Sequence, residues 1–80
     1  MAHEKILIIE DERDITELIA YNLEKEGYKT LQAATGEDAL NNINKYNPDL
    51  ILLDLMLPGI DGMEVCRQLK QDRKTRNIPI

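Results

Sequence analysis

Eighty residues make one small domain at most, able to bury only a modest share of its surface. The acidic balance, 15 Asp and Glu against 10 Lys and Arg for a net charge of -5, argues against a nucleic-acid surface, which needs clustered basic residues. The lone Cys66 excludes an internal disulfide or a cysteine metal cluster, and no apolar stretch has the length of a signal peptide or membrane span, so a soluble cytoplasmic protein is expected.

Lys5-Ile6-Leu7-Ile8-Ile9 is a short aliphatic run rich in β-branched residues and reads as a first strand. Glu10-Asp11-Glu12 ends it with charge. Ile15, Leu18, Ile19 and Leu23 recur at helical spacing, which predicts a first helix with one apolar face and Gly27 as its C-terminal cap. Tyr28 to Ala33 is a short second strand. Thr35 caps a second helix, with Glu37 and Asp38 favourable in its first turn and Ala39, Leu40 and Ile43 on its inner face. Asn47-Pro48 stops it.

Leu50 to Leu53 is the third strand, four aliphatics in a row, as expected for a strand buried on both faces of a parallel sheet. Asp54 stands at its end, and Pro58-Gly59 and Asp61-Gly62 mark the loop after it. Asp61 and Glu64 have capping-box spacing at the start of a third helix, whose inward residues are Met63, Cys66, Leu69 and Val65. With no histidine near it in sequence, Cys66 reads as a small buried apolar residue. Lys70 to Arg76 is a polar, basic exit, and Asn77-Ile78-Pro79-Ile80 has the pattern of a strand start. His3 stands alone near the beginning and is assigned no role. Alternating strands and helices imply a parallel α/β sheet with right-handed crossovers.

In a doubly wound sheet of order 2-1-3, the first and third strands are neighbours at roughly 5 Å. Glu10, Asp11 and Asp54 then share one end of the sheet, where open α/β folds bind ligands. Two unit charges at that spacing repel by ~3 kcal/mol at an effective dielectric of 20. Such a cluster calls for a proton or a divalent cation, and hard oxygen ligands without Cys or His favour magnesium. Singly, any one of these acids also reads as a helix cap or a solvated loop residue, and Asp11 reads equally well as a mere cap of the first helix.

The run from Pro48 to Gly62, with Glu10-Asp11 after the first strand, Asp54 after the third, and Pro58-Gly59 four and five residues further on, resembles the receiver domain of two-component response regulators. The resemblance runs from about Lys5 to Ile80 and lies nearest the receivers of winged-helix transcription factors. It implies a flavodoxin-like sheet of order 2-1-3, a histidine kinase as partner, and Asp54 as phosphoacceptor. It also implies Mg2+ held by Asp11, Asp54 and the Met56 backbone carbonyl, with Glu10 acting through water. Turnover catalysis is not implied, beyond self-catalysed phosphorylation and dephosphorylation of Asp54.

That family's fold has five strands, with a Ser or Thr after the fourth and a Lys after the fifth. The 80 residues carry three βα units and the start of a fourth strand, so a partial receiver with impaired phosphoryl transfer is expected. No lysine stands in for the missing one: Lys5 and Lys29 open strands, and Thr35 comes after the second strand, on the far side of the first from Asp54. The third strand would form an apolar edge, which predicts self-association, with the edge covered by Ile78-Pro79-Ile80 of the same chain or by a partner.

Three other readings compete with this one. A haloacid-dehalogenase-type phosphatase needs an acid two residues after its nucleophile, where Met56 stands. A dinucleotide-binding domain needs a glycine-rich loop where Glu10-Asp11-Glu12-Arg13 stands. The remaining alternative is a receiver-derived folding or self-association module without phosphoryl transfer.

Overall fold

In the computed structural model, which describes residues 4–80, the strand β1 (Lys5–Ile9) pairs with a parallel neighbour along both edges. Ile6 to Ile9 are all but fully buried, which explains a run of aliphatics without alternation. β2 (Lys29–Ala33) lies on one side and β3 (Leu50–Leu53) on the other, giving the order β2-β1-β3. Three helices alternate with the strands: α1 (Arg13–Lys25), α2 (Gly36–Tyr46) and α3 (Gly62–Gln71). This is the flavodoxin-like arrangement expected from the sequence. His3 lies outside the described residues.

Right-handed crossovers running in opposite directions from β1 and β2 place α1 and α2 on opposite faces of the sheet. On one face Leu7, Ile9 and Ile51 pack with Ala39 and Ile43 of α2 and Val65 and Leu69 of α3. Alternation turns Ile6 and Ile8 to the other face. There α1 buries Thr16 and Ala20, one turn apart. This differs from the aliphatic face expected of α1. Ile15 and Leu18 are 44% and 62% exposed, and Ile19 and Leu23 are half-buried. Small side chains occupy the line of closest approach to the sheet, and the aliphatic stripe lies to one flank of that line.

The ends of the elements obey local chemistry. α1 closes in a Schellman motif: the Gly27 amide donates to Glu24 O at 3.1 Å and the Tyr28 amide to Leu23 O at 3.2 Å. Thr35 Oγ1 accepts the Asp38 amide at 3.0 Å and starts α2. Asn47, in the left-handed region at φ 47, ends it. Asp61 Oδ1 accepts the Glu64 amide at 2.9 Å and starts α3. Only half of the expected capping box forms, because the Glu64 carboxylate turns to Arg67 and Gln68 instead. That pairing holds the Glu64 carboxyl low, to about 2. Met63 is exposed rather than inward, since it sits well off the arc shared by Val65 and Leu69. Cys66 is half-buried rather than fully buried.

Beyond α3 the basic stretch turns back on itself. Thr75 is buried, its hydroxyl donating to Leu69 O at 2.6 Å. Lys70 Nζ donates to Arg76 O and Ile78 O at 3.2 and 3.1 Å. The expected strand at Asn77–Ile80 is instead an irregular segment with one sheet-like bond, from the Ile51 amide to Pro79 O at 3.0 Å. Pro79 has no amide to donate, so the ladder cannot continue through it.

α2 and α3 meet at Gly36, where an added Cβ would lie 2.5 Å from Val65 Cγ2 and 3.1 Å from Ile60 O. Gly36→Ala is expected to lower stability by about 1–3 kcal/mol through overpacking of this contact. Urea denaturation of wild type and variant measures it; an unchanged midpoint would show that the helices separate without cost.

Candidate functional site

Main-chain bonds set the site. Ile9 pairs with Leu53 in the β1–β3 register. The ladder runs one bond further, from the Asp54 amide to Ile9 O at 3.0 Å, and the Glu10 amide donates to Ala33 O at 3.1 Å. Glu10 and Asp54 thus leave adjacent strands at the same level of the sheet. One carboxylate oxygen from each of Glu10, Asp11 and Asp54 lies within 4.8 Å of the others.

Each acid is held differently. Glu10 is half-buried, and its Oε2 accepts the Glu12 amide at 3.0 Å. The Thr16 hydroxyl donates to Glu12 O at 3.2 Å and approaches Glu10 O at 3.4 Å. Asp11 is exposed. Asp54 is half-buried, and its Oδ1 accepts the Met56 amide at 3.0 Å. That bond fixes the carboxylate and brings the Met56 backbone beside it, while Met56 as a whole is 86% exposed. Leu57, buried on the core, anchors the same loop.

Electrostatics show the crowding. The Glu12 amide is the largest single influence on Glu10 and lowers its pKa. Burial and the charges of Asp54 and Asp11 together outweigh it, so the carboxyl is raised above its ordinary 4.5. Two open clefts flank the cluster. One, of about 250 Å³, is bounded by Glu10, Asp11, Arg13 and Thr16 of the first loop and helix. The other, of about 270 Å³, is bounded by Ile19, Leu52 and Asp54 on the α1 face. Three hard oxygen donors, reachable from solvent, suit a small divalent cation that keeps part of its water shell. Lys5 and Lys29 open β1 and β2, at the opposite end of the sheet.

Two supporting residues were not legible in the sequence. Thr16 falls within the α1 pattern without marking itself, four residues after Glu12, whose carbonyl it holds. Glu37 reads there only as a favourable first-turn acid. In the structure its Oε2 accepts the Ile60 amide of the β3–α3 loop at 3.3 Å, across 23 residues of sequence.

The sequence matches the response regulator receiver domain family over residues 6–80. It is 49% identical over 71 residues to the alkaline phosphatase synthesis transcriptional regulatory protein PhoP of Bacillus subtilis, a match covering 89% of this chain and 30% of that protein. Among solved structures, the N-terminal domain of a response regulator receiver protein from Methanoculleus marisnigri superposes with a TM-score of 0.91 at 38% identity, over 95% of this chain and 62% of that one. Response regulator TrrA from Thermotoga maritima, crystallised in complex with Mg(2+)-BeF, superposes with a TM-score of 0.83 at 39% identity, over 89% of this chain and 62% of that one. The 80 residues therefore span less than a third of the curated relative and about three fifths of the solved chains. Matched to this family over all but its first five residues, the chain belongs to the response regulator receiver domains of two-component systems.

Proposed function

We propose that this receiver takes a phosphoryl group from a histidine kinase onto Asp54, with Mg2+ held by Asp11, Asp54 and the Met56 backbone carbonyl and by Glu10 through water. The observation that carries the reading is the convergence of three carboxylates within 4.8 Å at the ends of β1 and β3. Like charges kept together by main-chain bonds need a counter-charge, and the raised Glu10 pKa is consistent with that need. The Mg(2+)-BeF complex of the relative TrrA supports the same cation class.

In the transfer, an Asp54 carboxylate oxygen forms a bond to phosphorus. The phosphorus–nitrogen bond of the kinase phosphohistidine breaks, and its electron pair returns to the ring nitrogen. Bound Mg2+ supplies positive charge against the charge that gathers on the phosphoryl oxygens. The Met56 amide holds the Asp54 side chain in one orientation before the reaction, which removes part of the ordering cost. The reading places the domain in the cytoplasm beside its kinase, with no direct contact to nucleic acid or membrane. Among the described residues no helix is long and apolar enough to cross a membrane.

A second reading, self-association, is favoured by two observations. Ile15 and Leu18 stand exposed on α1, and the outer edge of β3 is bonded at Ile51 alone among its described amides. Light scattering on dilute protein separates the two cases: a dimer weakened by Leu18→Lys supports self-association, and a monomer at all concentrations removes it.

Two measurements test the main reading. Millimolar Mg2+ is expected to raise the melting temperature of the wild type by mass action and to leave Asp11→Ala unchanged. An equal shift in both proteins would mean that the cation binds elsewhere. Incubation with acetyl phosphate is expected to add one phosphoryl group to the intact mass of the wild type and none to Asp54→Asn. An adduct that survives Asp54→Asn would move the phosphoacceptor to another residue.

A further inference from the structure

The loop between β3 and α3 carries Met56 and has few bonds of its own. At its start the Met56 amide meets Asp54 Oδ1, and the Gly62 amide closes it onto Leu55 O at 3.3 Å. Leu55 and Met56 are exposed, Leu57 is sunk in the core, and Ile60 packs half-buried against it. On its far side the loop meets α2. There the Glu37 carboxylate lies across Gly59 and Ile60: Oε2 accepts the Ile60 amide at 3.3 Å, and a Cβ added to Gly59 would lie 2.8 Å from that same oxygen. Gly59 has φ 71, a backbone conformation that glycine adopts without cost. Turn and carboxylate thus fit one another.

α2 is a firm post for this contact. Thr35 caps it, Asp38 ties down Asn42 and Tyr46, and Ala39 and Ile43 are buried in the core. What Glu37 meets is a main-chain amide, so the contact requires an acceptor and makes no demand on the loop's side chains. Its effect would fall on the position of the loop backbone, whose Met56 peptide lies next to Asp54.

We infer that Glu37 is a positioning residue: from α2 it sets the Leu55–Ile60 loop so that the Met56 backbone stands ready for a divalent cation held by Asp11 and Asp54. The inference rests on the cation reading of the carboxylate cluster. Without the tether, the loop must be ordered when the cation binds, and affinity falls. Glu37 itself is exposed, so the metal-free fold depends on it little.

The test is a titration with Mg2+ alone, read by calorimetry and by the dependence of melting temperature on Mg2+ concentration. Wild type, Glu37→Ala, Glu37→Gln and Asp11→Ala are compared. Glu37→Ala is expected to bind about tenfold more weakly, as for other groups that support a metal ligand from behind. Its metal-free melting temperature should stay near that of the wild type, and its Ile60 amide should exchange with solvent faster. Glu37→Gln keeps an acceptor and should restore affinity. Wild-type affinity in Glu37→Ala would overturn the positioning role, as would a loss of metal-free stability that accounts for the weaker binding, or a failure of Glu37→Gln to rescue. A wild type that does not respond to Mg2+, or an Asp11→Ala that responds equally, would instead overturn the cation reading beneath it and the inference with it.

Discussion

A hydrogen bond between main-chain atoms, from the Asp54 amide to Ile9 O, sits at the origin of everything at the acidic end of this sheet. It belongs to the parallel ladder that pairs Ile6 with Leu50 and Ile9 with Leu53. Burial of Ile6 to Ile9 and Ile51 stabilises that ladder, at about 25 cal/mol for each Å² of apolar surface removed from water. The pairing is indifferent to the charges at the strand ends. It therefore sets Glu10, Asp11 and Asp54 together against their mutual repulsion, and folding energy from the core holds the charges there. The raised Glu10 pKa is the trace of that arrangement in the metal-free chain.

Positions around the cluster are then fixed from two sides. From beneath, backbone amides of Glu12 and Met56 take the Glu10 and Asp54 carboxylates. From the flank, α2 meets the β3–α3 loop through Gly36 and Glu37. The first kind of contact is local, two residues in sequence, and arises from the turn each acid begins. The second kind crosses the fold and exists only because α2 and α3 share one face of the sheet. The acidic side chains thus stand on strand ends, which are rigid, beside one loop, which is held from its flank.

The opposite face is less complete. α1 touches the sheet through Thr16 and Ala20, and its aliphatic residues Ile15 and Leu18 remain exposed. At the outer edge of β3, the segment after α3 folds back and gives one carbonyl, Pro79 O, to Ile51. Lys70 and Thr75 stabilise that return by capping carbonyls within it and at the end of α3. Among the described residues, the apolar edge is thus bonded by the chain itself at a single residue, without a regular fourth strand.

Much of this was legible along the chain. Aliphatic runs at Lys5–Ile9 and Leu50–Leu53, the caps at Thr35 and Asp61, and Gly27 after α1 are local signals, and each reflects the conformational preference of a few neighbouring residues. They sufficed for the element order, and the parallel pairing placed Glu10, Asp11 and Asp54 at one end. Tertiary structure alone decided which side of α1 is buried, since the sheet meets the helix at Thr16 and Ala20 rather than along its aliphatic stripe. It decided that Met63 faces solvent, that Glu64 turns to Arg67, and that Asn77–Ile80 bonds β3 without forming a strand. The contact of Glu37 with Ile60 belongs here too. Periodicity and capping report on residues a few positions apart, whereas this contact depends on the distance between two elements brought together by the sheet.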